Sequence, residues 1–143
     1  MTALTGPRRP LPRYGDSSPN NLFAGALAAG VKLWSGAVAC FNAAGYVVPG
    51  QTAVGLRTAG VVEKTYDNTL GVNGAVKCEI RAGIFPMNIL AGDPVAQADI
   101  GNTCYLVDDN TIAKTNGSST RSAAGVIEGF TDDGTQALVR LSL

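Results

Sequence analysis

Histidine is absent from the 143 residues. That removes the commonest general base and metal ligand, and with it every Ser-His or Cys-His nucleophile. Charge is also scarce: 15% of residues against the usual quarter, with a net charge of zero. A surface so short of charge suggests that a partner, or copies of the chain itself, cover part of it. Zero net charge gives no global reason to expect nucleic acid. Cys40, Cys78 and Cys104 are widely spaced, with no C-x-x-C, so no common zinc finger can be assembled from them. They read as three buried, reduced thiols in apolar strand runs, which fits folding in a reducing cytosol. The longest apolar stretch, Leu22 to Val31, is too short to span a bilayer. No apolar h-region follows the N-terminus, so the expectation is a soluble, non-secreted protein.

What is abundant is turn chemistry: 18 Gly and 7 Pro argue for many turns rather than long helices. Asp108-Asp109-Asn110 separates Thr103–Val107 from Thr111–Lys114, and Asp132-Asp133-Gly134 separates Gly125–Phe130 from Ala137–Leu141. Apolar and β-branched runs flanking such turns predict two successive β-hairpins. A further hairpin is predicted from Ala37–Phe41 to Tyr46–Val48 through a four-residue loop, Asn42 to Gly45. Short strands follow around Val54–Leu56, Ala59–Val62 and Tyr66–Thr69, where Gly55 and Gly60 hint at bulges or close backbone approach. The clearest strand is Val76–Phe85. There Val76, Cys78, Ile80, Ala82 and Ile84 share one face, with Lys77, Glu79 and Arg81 on the other. Asn21–Gly30 reads as a connector or one helical turn. A short helix is predicted over Asp93–Gly101, with Asp93 as N-cap and Pro94 at the first helical position. The fold class expected is all-β: a small sandwich or barrel of roughly eight to ten short strands with one short helix.

Two segments divide the chain: an extended N-terminal arm over 1–20 and a β-rich domain over 21–143. Pro7, Pro10, Pro12 and Pro19 fix φ and remove donors, favouring extended geometry in the arm. The arm reads either as a disordered tail or as an extended segment that orders on a partner surface; Leu4, Leu11 and Tyr14, of which a solvated tail has no need, speak for the second. Arg8, Arg9 and Arg13 make its first fifteen residues basic, with no acid before Asp16, against eight basic and eleven acidic residues in the rest of the chain. Three arginines are a thin footprint for nucleic acid, and an acidic protein surface is as good a target.

The remaining side chains hold no converging chemistry. The carboxylate pairs Asp108-Asp109 and Asp132-Asp133 fall at turn tips, where Asp is favoured for backbone reasons rather than for converging on a substrate. Calcium at Asp108-Asp109-Asn110 lacks the ligand spacing of a known loop. No phosphate-cradling glycine motif occurs, and Asn116-Gly117-Ser118 reads as a plain loop. Trp34, Tyr46, Tyr66, Tyr105 and Phe130 are scattered through strand runs as core or edge residues. No catalytic, cofactor or metal residues are therefore assigned.

One ordered string of signatures carries a resemblance. It runs from Gly45-Tyr46-Val47-Val48-Pro49 through the Gly-rich strands around Val54 to Val62, then Asp67-Asn68 and Gly74–Phe85. It continues with Ala98–Ile112 and ends in Ala124-Gly125-Val126-Ile127 and the last hairpin. Over roughly residues 31–143 this resembles the small capsid decoration, or cement, proteins of tailed bacteriophages. The resemblance implies a non-enzymatic virion protein that assembles, often as a homotrimer, on the capsid exterior. It would bind the major capsid protein and clamp neighbouring capsomers, with no direct nucleic-acid or membrane contact. In that setting Leu4, Arg8, Arg9, Leu11, Arg13 and Tyr14 of the arm would be the capsid-binding residues. The alternatives are another β-rich virion component, such as a head-fibre base or head–tail connector, or a small β-barrel ligand-binding domain or enzyme.

Overall fold

The computed structural model describes residues 22–143, and over that span the chain is all-β. The arm residues Leu4, Arg8, Arg9, Leu11, Arg13 and Tyr14 lie outside the described residues. Twelve strands are present: β1 (Leu22–Ala26), β2 (Val31–Leu33), β3 (Val38–Phe41), β4 (Val47–Pro49), β5 (Arg57–Val61), β6 (Tyr66–Asn68), β7 (Lys77–Arg81), β8 (Gly83–Ile89), β9 (Thr103–Leu106), β10 (Thr111–Ala113), β11 (Ala123–Phe130) and β12 (Gln136–Leu141). They build two lobes. The first is a five-stranded sheet in the order β1-β7-β5-β3-β4, flanked by a β2–β6 ribbon. The second is a closed barrel in the order β10-β8-β12-β11-β9.

The barrel is where turn chemistry acts most directly. β9 pairs antiparallel with β10, and β11 with β12, as the two Asp-rich turns dictate. β8 closes the ring, antiparallel to β12 and parallel to β10 at Asn88 and Ile89. Its core is branched and tight: Cys104, Leu106, Ile112, Val139 and Leu141 are wholly excluded from solvent, with Met87 and Ile127 beside them. The first lobe packs smaller residues, Ala37, Ala39 and Ala59, around Leu27, Leu33, Val47, Val62 and Ile80.

β3 and β5 are the wall between the two cores. Alternation along β3 sends Val38 and Cys40 to the barrel core and Ala39 to the first core; Val61 and Val62 at the end of β5 divide the same way. A strand buried on both faces carries no polar alternation, which is why Val38–Cys40 reads as one apolar run. Polar stitches finish the wall. Ser122 Oγ accepts from the Leu56 N–H (2.9 Å) and donates to the Ala53 carbonyl (2.7 Å). Thr58 Oγ1 donates to the Ala123 carbonyl (2.9 Å).

Four local expectations are corrected. Val76–Phe85 is two strands, β7 and β8, broken at Ala82 where the chain leaves one sheet for the other. The crossing inverts the alternation: Cys78 and Ile80 are buried, whereas Ile84 is 48% exposed. Leu22–Ala26 is a strand rather than a connector, because antiparallel pairing with β7 satisfies its backbone. Val54–Leu56 forms no strand, and Val54 is exposed. Over Asp93–Gly101 only a 3-10 turn forms, Gln97–Asp99. Asp93 does not cap it. Its Oδ2 instead accepts from Thr115 Oγ1 (2.6 Å) and Arg121 Nη1 (2.8 Å), and the Ala96 N–H goes to Asp99 Oδ2 (2.8 Å).

The glycine hint at Gly60 holds. β5 shifts register there against β3, and a Cβ on Gly60 would collide with the Arg81 carbonyl of β7. The close approach of the two backbones therefore requires glycine.

Candidate interaction surfaces

The nucleophiles and carboxylates singled out in the sequence are occupied structurally. All three cysteines are free and buried. Burial pushes the Cys40, Cys78 and Cys104 thiols up to about 11, so none is a thiolate at neutral pH. Asp133 closes its own turn: Oδ1 accepts from Thr131 Oγ1 (2.7 Å), Thr135 Oγ1 (2.9 Å) and the Thr135 N–H (3.1 Å). Those bonds, led by the Thr131 hydroxyl, hold its carboxyl below the usual range. Asp108 accepts from the Asn110 N–H (2.9 Å). Partial burial, and then the Asp108 charge, push Asp109 the other way. The two pairs sit on different hairpins, and among the described residues no group of three or more His, Cys, Asp or Glu could hold a metal ion.

Exposed apolar side chains are the more telling feature. Leu70 is 102% exposed and Val72 is 74% exposed, both on the loop between β6 and β7. That loop is pinned from beneath. Asn68, only 2% exposed, donates Nδ2 to the carbonyls of Ala28 (2.9 Å) and Val72 (3.0 Å). The Gly74 N–H reaches the Leu27 carbonyl (2.8 Å), and Asn73 Oδ1 accepts from the Ala29 N–H (2.8 Å). Leu70 and Val72 are thus held out to solvent by a fixed backbone. Trp34, expected in the core or at an edge, is 59% exposed at the end of β2, with Lys32 Nζ 4.0 Å from its ring centroid. On the barrel wall, register places Ile84, Arg140 and Val126 side by side on the outward face of β8, β12 and β11. Sequence reading passed over Leu70 and Val72, although two apolar residues flanking Gly71 in an Asn/Gly-rich turn were the available signal.

A cleft of about 420 Å³ opens on the barrel beside β9, between the 93–102 segment and the 114–121 loop. Thr103 and Tyr105 come from the outward face of β9, and Asn102, Lys114 and Asn116 stand around them. Asp99 lies at its inner end, paired with Lys114 Nζ at 3.3 Å. The Ala96 N–H and then Lys114 hold the Asp99 carboxyl below the ordinary range, so the pair is charged and internally neutral. The frame is braced by the Asp93–Arg121 ion pair at 2.8 Å.

Compared with family models, with curated proteins and with solved structures, the chain matches none.

Proposed function

We propose that the chain is a structural virion protein that binds the exterior of a tailed-phage capsid and stabilises it by clamping neighbouring capsomers, without enzymatic activity. The observation that carries this reading is the rigid presentation of Leu70 and Val72. Apolar side chains largely exposed on a pinned loop gain their hydrophobic free energy only when a partner covers them. The low charged fraction and the sequence resemblance point the same way. The partners are the major capsid protein and the chain itself, as a homotrimer around a local three-fold axis. The arm, through Leu4, Arg8, Arg9, Leu11, Arg13 and Tyr14, adds many weak contacts multiplied over linked copies.

The test is decoration of capsids stripped of this protein. Full-length chain is expected to bind them, raise the temperature at which packaged DNA is lost, and sediment as a trimer. The Leu70→Ser/Val72→Ser double variant is expected to keep the wild-type melting temperature, because neither side chain touches a core, yet bind markedly less. Deletion of residues 1–20 is expected to leave the β domain folded and weaken binding further. Undiminished particle stability in the absence of the protein, or full decoration by both variants, overturns the reading.

A further inference from the structure

We propose that the cleft beside β9 is a binding site for an uncharged sugar ring. Its volume lies at the lower end of ligand pockets, enough for one or two pyranose rings. Three groups that border it have no hydrogen-bond partner among the described residues: the Tyr105 hydroxyl, the Thr103 hydroxyl and the Asn116 amide nitrogen. Other polar groups at the cleft are committed. Lys114 is held by Asp99, and Thr115 Oγ1 donates to Asp93 (2.6 Å). Asn116 Oδ1 accepts from the Ser119 N–H (3.2 Å).

Charge decides the ligand class. The carboxylate and ammonium that face the cleft neutralise each other at 3.3 Å, so no uncompensated cation remains for a phosphate and no free carboxylate for an amine. A purely apolar ligand would cover the free hydroxyls and amide without satisfying them, and so would forfeit their hydration. A polyol both donates and accepts, and therefore satisfies all three. Tyr105 supplies an aromatic ring on an outward strand face, against which the C–H face of a pyranose can pack.

The loop that presents Asn116 is built at a conformational cost. Gly117, Ser118 and Ser119 adopt φ of 60°, 59° and 66° in succession, a left-handed turn that L-residues rarely adopt in series. It is secured by the Thr120 and Arg121 N–H groups, both donating to the Asn116 carbonyl at 3.0 Å. Asn116 is thereby fixed before any ligand arrives, and strain of this kind tends to persist where a site needs a set geometry.

The site belongs to the barrel alone and stands apart from the capsid reading: the isolated protein carries it whether or not it decorates a particle. The experiment is a ¹H–¹⁵N titration of full-length protein with methyl α-glucopyranoside, methyl β-galactopyranoside and N-acetylglucosamine. Each is taken to about 50 mM, above the ~1–10 mM dissociation constant of a one-ring site. Saturable shifts confined to the amides of 102–105 and 114–119 with at least one pyranose are expected. Tyr105→Ala and Asn116→Ala should each weaken binding about tenfold or more, with spectral dispersion reporting that each variant is folded. Absence of saturable shifts with all three sugars overturns the proposal. So do shifts unchanged in both variants, or binding of glucose 6-phosphate or inorganic phosphate in preference to the neutral probes.

Discussion

The two lobes reach the same end, a closed core with few open edges, by opposite means. The barrel closes through its ladders: every strand from β8 to β12 has a neighbour on each side, and its centre is filled by Leu106, Ile112, Val139 and Leu141. The first lobe has strands of three to five residues and a centre lined by alanines. It completes its perimeter with side chains that bond to backbone. Asn68 ties the 69–75 loop to the end of β1, and Ser35 joins Glu63 and Thr65 across the end of the ribbon. An isolated Leu27–Val47 bridge draws the ends of its sheet together. Side-chain volume holds one lobe, and close approach with polar stitching holds the other.

That contrast is broken most severely at Gly60. Gly60→Val puts atoms where the Arg81 carbonyl stands and forces β5 from β7, so it should cost more than about 3 kcal/mol, read as a collapse of the urea midpoint. The equivalent insult to the barrel is removal of volume. Ile112→Ala should cost about 2–5 kcal/mol by the same measurement, because a wholly buried side chain in a closed ring leaves a cavity that cannot easily collapse. Asn68→Ala should cost about 1–3 kcal/mol, since two carbonyls lose their donor within a buried setting. Its distinguishing mark is local: hydrogen-exchange protection of the Gly74 and Ala75 amides should fall while that of barrel amides is unchanged.

The gentlest test is acid. Asp67, Asp93, Asp99 and Asp133 are held below the ordinary carboxylate range, first of all by hydrogen bonds from Thr69, Thr115, Ala96 and Thr131 respectively. Lowered folded-state values contribute stability that is complete above the unfolded value and lost as pH falls through and below it. Asp109 is raised by burial and then by Asp108, so its protonation on acidification acts the other way. Four groups oppose one, and the melting temperature should decline progressively below about pH 4. Two of the four brace the 93–121 clasp, so amides of the 114–121 loop should lose protection first.

The barrel was largely legible in the sequence because its information is local. Asp-rich turns fix the β9–β10 and β11–β12 hairpins within a few residues, and alternation then assigns their faces. The β3–β4 hairpin followed for the same reason. What could not be read depends on partners far along the chain. β1 is a strand only because β7 lies more than fifty residues away to pair with it. At the break Ala82 is followed by Gly83, but period-two alternation runs through both, so the presence of two sheets is what reveals the inversion at Ile84. Asp93-Pro94 is a good helix start by composition, and it lost to a tertiary competitor, Arg121 with Thr115. The expected capsid-binding residues lie outside the described span. The exposed pair Leu70 and Val72 was missed because a Gly/Asn-rich turn announces its backbone, whereas the exposure of its apolar side chains is set by Asn68 and the 27–29 segment beneath it.

The passage of β7 into β8 also sets a timetable for synthesis. By Arg81 every strand of the first sheet and its ribbon has been made, so that lobe can pair its strands as soon as they leave the ribosome. The barrel cannot close until β12, because β8 waits for Gly83–Asn88 to meet Gln136–Leu141 some fifty residues later. In that interval Val38, Cys40 and Val61, which face the barrel core in the finished protein, have nothing to lie against. The nascent chain therefore passes through a stage with one lobe formed and a sticky flank uncovered, and crowded synthesis should penalise any variant that delays the final hairpin.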